Sequence, residues 1–394
     1  MYHSIGVVNK KWHWNYLTCP YEVFESQLKW LKKTGYNTLN FQEIYDYIMN
    51  DIPIPKNSIF LNFDDGYLDN YVYAYPLLKK YGMKGTVFVN SDFVDTTEKL
   101  RTTIDDINPE KEAGNLDSIG FCNWKELKKM DKEGVLDVQS HAKTHTWYPI
   151  SDKIVDFRHP KDDYVWMDWN DFPEEKPHLQ LIDWNKAKLG KAIFEHEKAL
   201  SSKRVFINED FQTELHQFVK KNGNEEFFNQ KDWKKQLETV ANNLKSECKV
   251  VSKHENNDEY LVRIKHELAF TKTEIERNLN KQVNFICWPG GSATKEGMKI
   301  ATELGYLMST AARDLTHAER KSIVNTPKQK INRVSRFTPV MLNQWKNNDD
   351  DAIMIYSPGW FFVLQLMRFQ NKYFAKYWMR YIIYIIIKIK KLYV

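Results

Sequence analysis

The chain has 394 residues, 42% of them hydrophobic and 28% charged, with a formal net charge of +5. That length holds one large α/β domain with additions or two ordinary domains, and the composition excludes a disordered chain. The charge is too modest to point to a nucleic-acid partner, and four scattered cysteines without a C-x-x-C pair argue against a zinc knuckle or a disulfide framework.

The opening stretch, MYHSIGVVNKKWHW, has no long apolar run of the kind a secretory leader needs, so the expectation is a cytoplasmic protein. Pro20 begins an amphipathic helix with Phe24, Leu28 and Leu31 on one face, and Gly35 ends it. SIFLNFDD reads as a buried strand that stops on two carboxylates. A helix around YAYPLLKKYG follows, closed by Gly82, then the strand KGTVFVN, a helix over Trp124–Lys132, and the strand VLDVQSH, which stops on a histidine. Strands alternating with helices predict a mainly parallel sheet, open or closed into a barrel, with the chemistry at the carboxyl ends of the strands.

Over residues 147–260 the rhythm breaks, and this stretch reads as an insertion, either a lid or a small subdomain. Asp156, His159, Asp162, Asp163, Asp168 and Asp171 crowd its start and read as a solvated acidic loop rather than a second metal site. Alternation resumes with a helix over 261–279, the strand VNFICWP, the helix ATKEGMKIATELG and the strand YLMSTAA. The expected organisation is therefore 1–147 and 261–340 for the main domain, 148–260 for the insertion, and 352–394 for a C-terminal helical tail.

In that tail Arg368, Lys372, Lys376 and Arg380 recur every four residues, with Phe369, Tyr373, Phe374, Tyr377 and Trp378 on other faces. Its uninterrupted apolar runs fall short of the roughly 20 residues needed to span a bilayer. A basic amphipathic helix on an anionic membrane surface is the expectation, which would place the protein at the inner face of the membrane.

Hydrolysing an amide near neutral pH requires an activated water and a stabilised oxyanion, and a divalent metal supplies both. His141 and His145, four apart in SHAKTH, can turn toward one ion from a strand end. Asp65 can add an anionic ligand, which leaves Asp64 to act as general base. Adjacent carboxylates on a regular strand face opposite ways; Gly66 lets the chain turn so that both reach one site. Either motif alone is common, but the two together at strand ends of an alternating fold are a much stronger signal.

LNFDDGY resembles the first motif, and SHAKTH the second, of the NodB-homology polysaccharide deacetylases, the fourth family of carbohydrate esterases. MYHSIG and the helix that follows resemble the subgroup that includes exopolysaccharide poly-N-acetylglucosamine deacetylases. The resemblance covers about residues 1–147 and 260–325. It implies a distorted (β/α)7 barrel in which Asp64 is the base and Asp65, His141 and His145 hold one divalent metal ion, zinc first, with cobalt or manganese as alternatives. FICWPGG resembles the third motif, which puts Trp288, Pro289 and Gly290 along the substrate groove together with Tyr67. The implied reaction is removal of N-acetyl groups from an amino sugar in a surface polysaccharide or its precursor, the implied partner an N-acetylated glycan.

Three departures stand against this pattern. Cys287 occupies the position where many members carry an arginine that orients the base, Ala142 replaces a serine or threonine, and the late Leu-His motif that supplies a general acid is not evident. His317 reads as a surface residue, and His3 as either structural or approaching the site. These departures leave a second reading open, a catalytically silent glycan-binding or scaffold barrel at the membrane, although the complete Asp-Asp-His-His set favours the hydrolase.

Overall fold

A computed structural model describes residues 1–9, 14–108, 112–181, 188–247, 250–310, 333–344, 353–369 and 378. Six parallel strands form the central sheet, in the order Arg333–Val334, Met308–Thr310, Phe285–Ile286, Leu136–Ser140, Gly85–Val89 and Asn62–Phe63. Beyond its last strand, Tyr2 bridges Phe63 in parallel. Two short parallel pairs lie alongside, Ser4–Gly6 with Thr18–Pro20 and Asn37–Leu39 with Ser58–Phe60. Curled and flanked by helices, this mainly parallel sheet, which the alternation implies, fits the distorted (β/α) barrel that the resemblance implies. Gly85–Val89 is buried along its whole length, as expected of a strand covered on both faces.

Local chemistry sets the helix boundaries. Asn123 accepts from the amide of Glu126 while the Glu126 carboxylate accepts from the amide of Asn123, so the helix Trp124–Lys132 starts where the sequence places it. The same reciprocal cap, Asn256 with Glu259, starts the long helix Asn257–Leu279 four residues earlier than its apolar period suggests. The helix Tyr21–Lys33 buries Phe24, Leu28 and Leu31 and also Gln27. The Gln27 amide is satisfied, accepting from the Tyr2 hydroxyl at 2.7 Å and donating to the Ser357 carbonyl at 2.6 Å.

The insertion has a core of its own. Trp147–Phe157 pairs antiparallel with Ala192–Lys198, and Val205–Ile207 with Val251–His254. Against them pack the helices Glu209–Lys221 and Trp233–Glu247, around Phe157, Phe194, Phe211, Leu215, Phe227 and Leu237. A further helix, Val165–Asp171, carries Trp166 and Trp169 onto Phe93 and Phe121 of the barrel. Its acidic start is ion-paired rather than a solvated loop. Arg158 meets Asp162 and Asp168 at 3.0 and 2.9 Å, Lys191 meets Asp171 at 2.9 Å, and Lys234 meets Asp156 at 2.8 Å.

The expected tail begins as part of the barrel instead. Ile353–Tyr356 pairs antiparallel with Val340–Gln344, and the helix Gly359–Phe369 buries Phe361, Phe362, Val363 and Leu366. A side chain at Gly359 would come within 2.2 Å of the Ser26 carbonyl oxygen, so the two backbones meet there. Lys372, Lys376, Arg380 and His317 lie outside the described residues. No helix among the described residues is long and apolar enough to cross a membrane.

Gly85 sits where neighbouring strands approach most tightly, since a Cβ there would lie 2.6 Å from the Leu61 carbonyl oxygen. Gly85→Ala must separate the strands, and we expect a loss of about 1–3 kcal/mol, read as a lower melting temperature with unchanged spectroscopic secondary structure.

Candidate active site

Two loops at strand ends build the site. After Asn62–Phe63, the Asp64 amide donates to the Tyr2 carbonyl at 3.0 Å; Asp65 and Gly66 then both take a φ of 73°. This consecutive left-handed pair brings two adjacent carboxylates to one cavity, which a regular strand cannot do. After Leu136–Ser140, the His141 amide donates to the Val89 carbonyl at 2.9 Å, and Ala142 and His145 turn back with φ of 58° and 44°. The other non-glycine residues at positive φ among those described are Asp51, Asn57, Asn224 and Asn280, side chains that tolerate the left-handed region. Histidine shares part of that tolerance, whereas Ala142, with no polar side chain, does not.

The loops bring Asp65, His141 and His145 together. His141 Nε2 and His145 Nε2 stand 3.2 and 3.5 Å from Asp65 Oδ1. That oxygen is buried and accepts no hydrogen bond. His141 Nδ1 lies 2.8 Å from the Cys287 carbonyl oxygen; donating a proton there leaves Nε2 with a free lone pair. Burial pushes His145 down to about 4, which keeps its imidazole neutral. Burial also acts to raise Asp65, but His145 and His141 outweigh it and hold the carboxyl below the usual carboxylate range. Burial acts to lower His141, but Cys287 and Asp65 outweigh it and raise the imidazole well above its ordinary value, so an incoming cation would displace a proton there. One anion and two imidazoles converging on an unsatisfied oxygen fit a divalent first-row cation.

Asp64 is buried beside them but has different partners. Arg336 Nη1 donates to Asp64 Oδ1 at 2.6 Å and to Asn62 Oδ1 at 2.9 Å, while the Cys287 thiol faces Asp64 Oδ2 at 3.6 Å. Burial acts to raise this carboxyl, yet the Arg336 guanidinium overcomes it and holds the group below its ordinary value. Asp64, His141 and Cys287 also approach one another closely enough to suggest a cation site. Arg336 already occupies one oxygen of Asp64, however, and His141 Nδ1 is committed to a carbonyl, so the Asp65 trio is the better ligand set.

Arg336 is the functional side chain that the sequence reading missed. It lies two residues beyond the strand Arg333–Val334, so it too stands at a strand end, but two residues are too few to register as a strand. Cys287, where an arginine was sought, faces the second oxygen of the Asp64 carboxylate and lies beside Arg336.

These groups line a cavity of about 650 Å³ that also contains His3, Tyr67, Trp288 and Gly290. Tyr67 stacks on Phe121 with centroids 5.2 Å apart. Trp288 is only 1% exposed, and Pro289 lies buried outside the cavity wall. The insertion supplies Trp147, Trp166, Asp163 and Lys198 to the same cavity. Lys198 Nζ donates to the Gly290 carbonyl at 2.5 Å and ties the two walls together.

The polysaccharide deacetylase family model matches residues 51–198. YxkH of Bacillus subtilis is 44% identical over 89 residues, 23% of this chain and 30% of that protein. The poly-beta-1,6-N-acetyl-D-glucosamine N-deacetylase of Staphylococcus aureus is 35% identical over 130 residues, 32% of this chain and 37% of that protein. The chain thus spans about a third of the length of the curated relatives it matches. A de-N-acetylase structure from Aggregatibacter actinomycetemcomitans aligns over 85% of this chain and 92% of that one, with a TM-score of 0.49 and 17% identity. The chain carries a polysaccharide deacetylase domain, the family that its Asp-Asp-Gly and His-x-x-x-His motifs resemble.

Proposed function

We propose that this protein is a metal-dependent hydrolase that removes N-acetyl groups from amino-sugar units of a surface polysaccharide or its precursor. The observation that carries the proposal is the pairing of two unlike carboxylates at one cavity. Asp65 presents an unsatisfied oxygen to two imidazole Nε2 atoms, and Asp64 is held ionised by Arg336. The Staphylococcus aureus relative, named for a poly-N-acetylglucosamine substrate, supports the glycan class, and the Trp147 and Trp166 faces suit the flat apolar side of a sugar ring.

Asp65, His141 and His145 would hold the cation. Zinc is the first expectation for one carboxylate with two imidazoles, and cobalt or manganese suit the same donors. When bound, it would lower the pKa of a water and polarise the acetamide carbonyl. Asp64 takes the proton from the attacking water, and Arg336 fixes the carboxylate's orientation for that transfer. His3, an imidazole in the same cavity, can return a proton to the departing nitrogen, so that acetate and a free amine leave. The scaffold reading rested on an absent arginine and an unassigned general acid; Arg336, just beyond another strand, brings a guanidinium to Asp64.

The basic stretch from Arg368 onward motivates an anionic membrane surface as a second partner, and a place at the inner face of the membrane. Flotation of the full chain with vesicles should then require anionic lipid, and equal recovery with neutral vesicles would count against it.

Metal content by mass spectrometry and acetate release from N-acetylated oligosaccharides test the main proposal. We expect about one metal per chain, lost together with acetate release in His141→Ala. A wild-type protein that takes up no zinc, cobalt or manganese would sink it. Arg336→Met should keep its metal but lose at least about tenfold in kcat as the base loses its alignment. Because Arg336 favours the charged form of Asp64, its removal raises that pKa, and the acidic limb of the kcat/KM profile should move to higher pH.

A further inference from the structure

The loop that carries both histidines is gripped from two sides at Thr144. Its amide and its hydroxyl donate to Glu267 Oε2 and Oε1, each at 2.9 Å. Its carbonyl accepts from Lys176 Nζ at 3.0 Å. Glu267 belongs to the long helix Asn257–Leu279 of the barrel, whereas Lys176 comes from the insertion, in the segment Pro173–Leu181. Both side chains are buried, at 3% and 2% exposed. Asp92 completes the cluster, with Oδ2 at 3.3 Å from Lys176 and Oδ1 at 3.0 Å from Lys143.

Burying an ammonium group inside a protein is costly unless its hydrogens find good acceptors. The insertion has an apolar core elsewhere, so its own folding gives no reason to send a lysine into this spot. The backbone that Lys176 reaches does give one. Ala142 and His145 are both held at positive φ, a conformation that persists for such residues only where the surroundings over-determine it. Thr144 lies between them and directly precedes His145. All three of its polar groups are fixed by a buried charge, the donors by a carboxylate and the acceptor by an ammonium.

We infer that Lys176 and Glu267 are positioning residues for the metal centre, acting through Thr144 to hold His145 Nε2 opposite Asp65. The insertion is then part of the metal site's support as well as a wall of the sugar cavity. This rests on Asp65, His141 and His145 being the ligands.

The test measures the zinc dissociation constant of the full chain by competition with a chelator, together with the melting curve of the metal-free protein. Lys176→Met matches the chain length without the charge, Lys176→Arg restores a donor, and Glu267→Gln removes one of the two acceptors. We expect affinity to weaken about tenfold in Lys176→Met and in Glu267→Gln, and to recover in large part in Lys176→Arg. A lower melting temperature with the wild-type zinc constant, in either weakened variant, would mean a merely structural role and overturn the inference. Glu267→Gln decides alone if Lys176→Met does not fold. Failure of the wild type to bind zinc would be a separate result, striking the metal assignment itself.

Discussion

The chemistry of this protein depends on backbone strain held at two strand ends. Ala142 takes a left-handed conformation that costs such a residue on the order of 1 kcal/mol, and Asp65 and His145, of types met there more often, take the same conformation beside it. Relaxing any of them would swing a ligand or its neighbour out of the cavity. The sheet beneath resists this because its hydrogen bonds continue into the loops. The amides of Asp64, His141 and Cys287 donate to Tyr2, Val89 and Ser140, so each functional residue starts from a fixed register with the next strand. The rigid ladder leaves the loops only their internal torsions, and buried side chains restrain those.

Within that frame, two neighbouring carboxylates acquire different properties from what faces them. Asp64 meets a permanent cation, Arg336, that occupies one oxygen. Asp65 meets two imidazoles, one of which burial keeps neutral, with an oxygen left open. In a medium of low dielectric such differences are large. A carboxylate already neutralised by arginine gains little from a metal, whereas one facing lone pairs gains a great deal. The proposed division into base and ligand therefore rests on partners, and partners follow from the turn at Asp65 and Gly66. No special property of either aspartate is needed.

What the sequence made legible was local. Asp64, Asp65, His141 and His145 could be found because each stands within a few residues of a strand that has its own hydrophobic signature. Arg336 could not, since its strand is two residues long and its target lies 272 positions away in the chain. Lys176 and Glu267 were hidden for a related reason. Nothing in PEEKPHLQL or in the long amphipathic helix marks one charge as buried, because burial is decided by which loop it meets. The insertion's acidic start was read as solvated because Arg158, Lys191 and Lys234 are spread over a span where no periodicity connects them to it. The stretch 353–369 read as the start of an amphipathic tail, on a membrane surface or packed on the barrel, for want of any cue that Gly359 closes on the Ser26 carbonyl.

The insertion meets the two site loops by one device used twice. Lys198 donates to the carbonyl of Gly290, and Lys176 to the carbonyl of Thr144. A lysine bonded to main-chain oxygen makes no demand on the side chains of the loop it grips, so the attachment does not compete with ligation or with substrate contacts. Nor does it constrain the aromatic faces that the insertion lays over the cavity. Trp147 and Trp166 reach the cavity from the strand Trp147–Phe157 and the helix Val165–Asp171, neither of which carries Lys176. The insertion meets the loop bearing His141 and His145 through apolar contacts as well, with Trp147 and Trp169 ring centroids 5.7 and 6.1 Å from that of His145 and the Ala199 amide donating to the Thr146 carbonyl, so the two lysines belong to a wider seam that holds the strained loop.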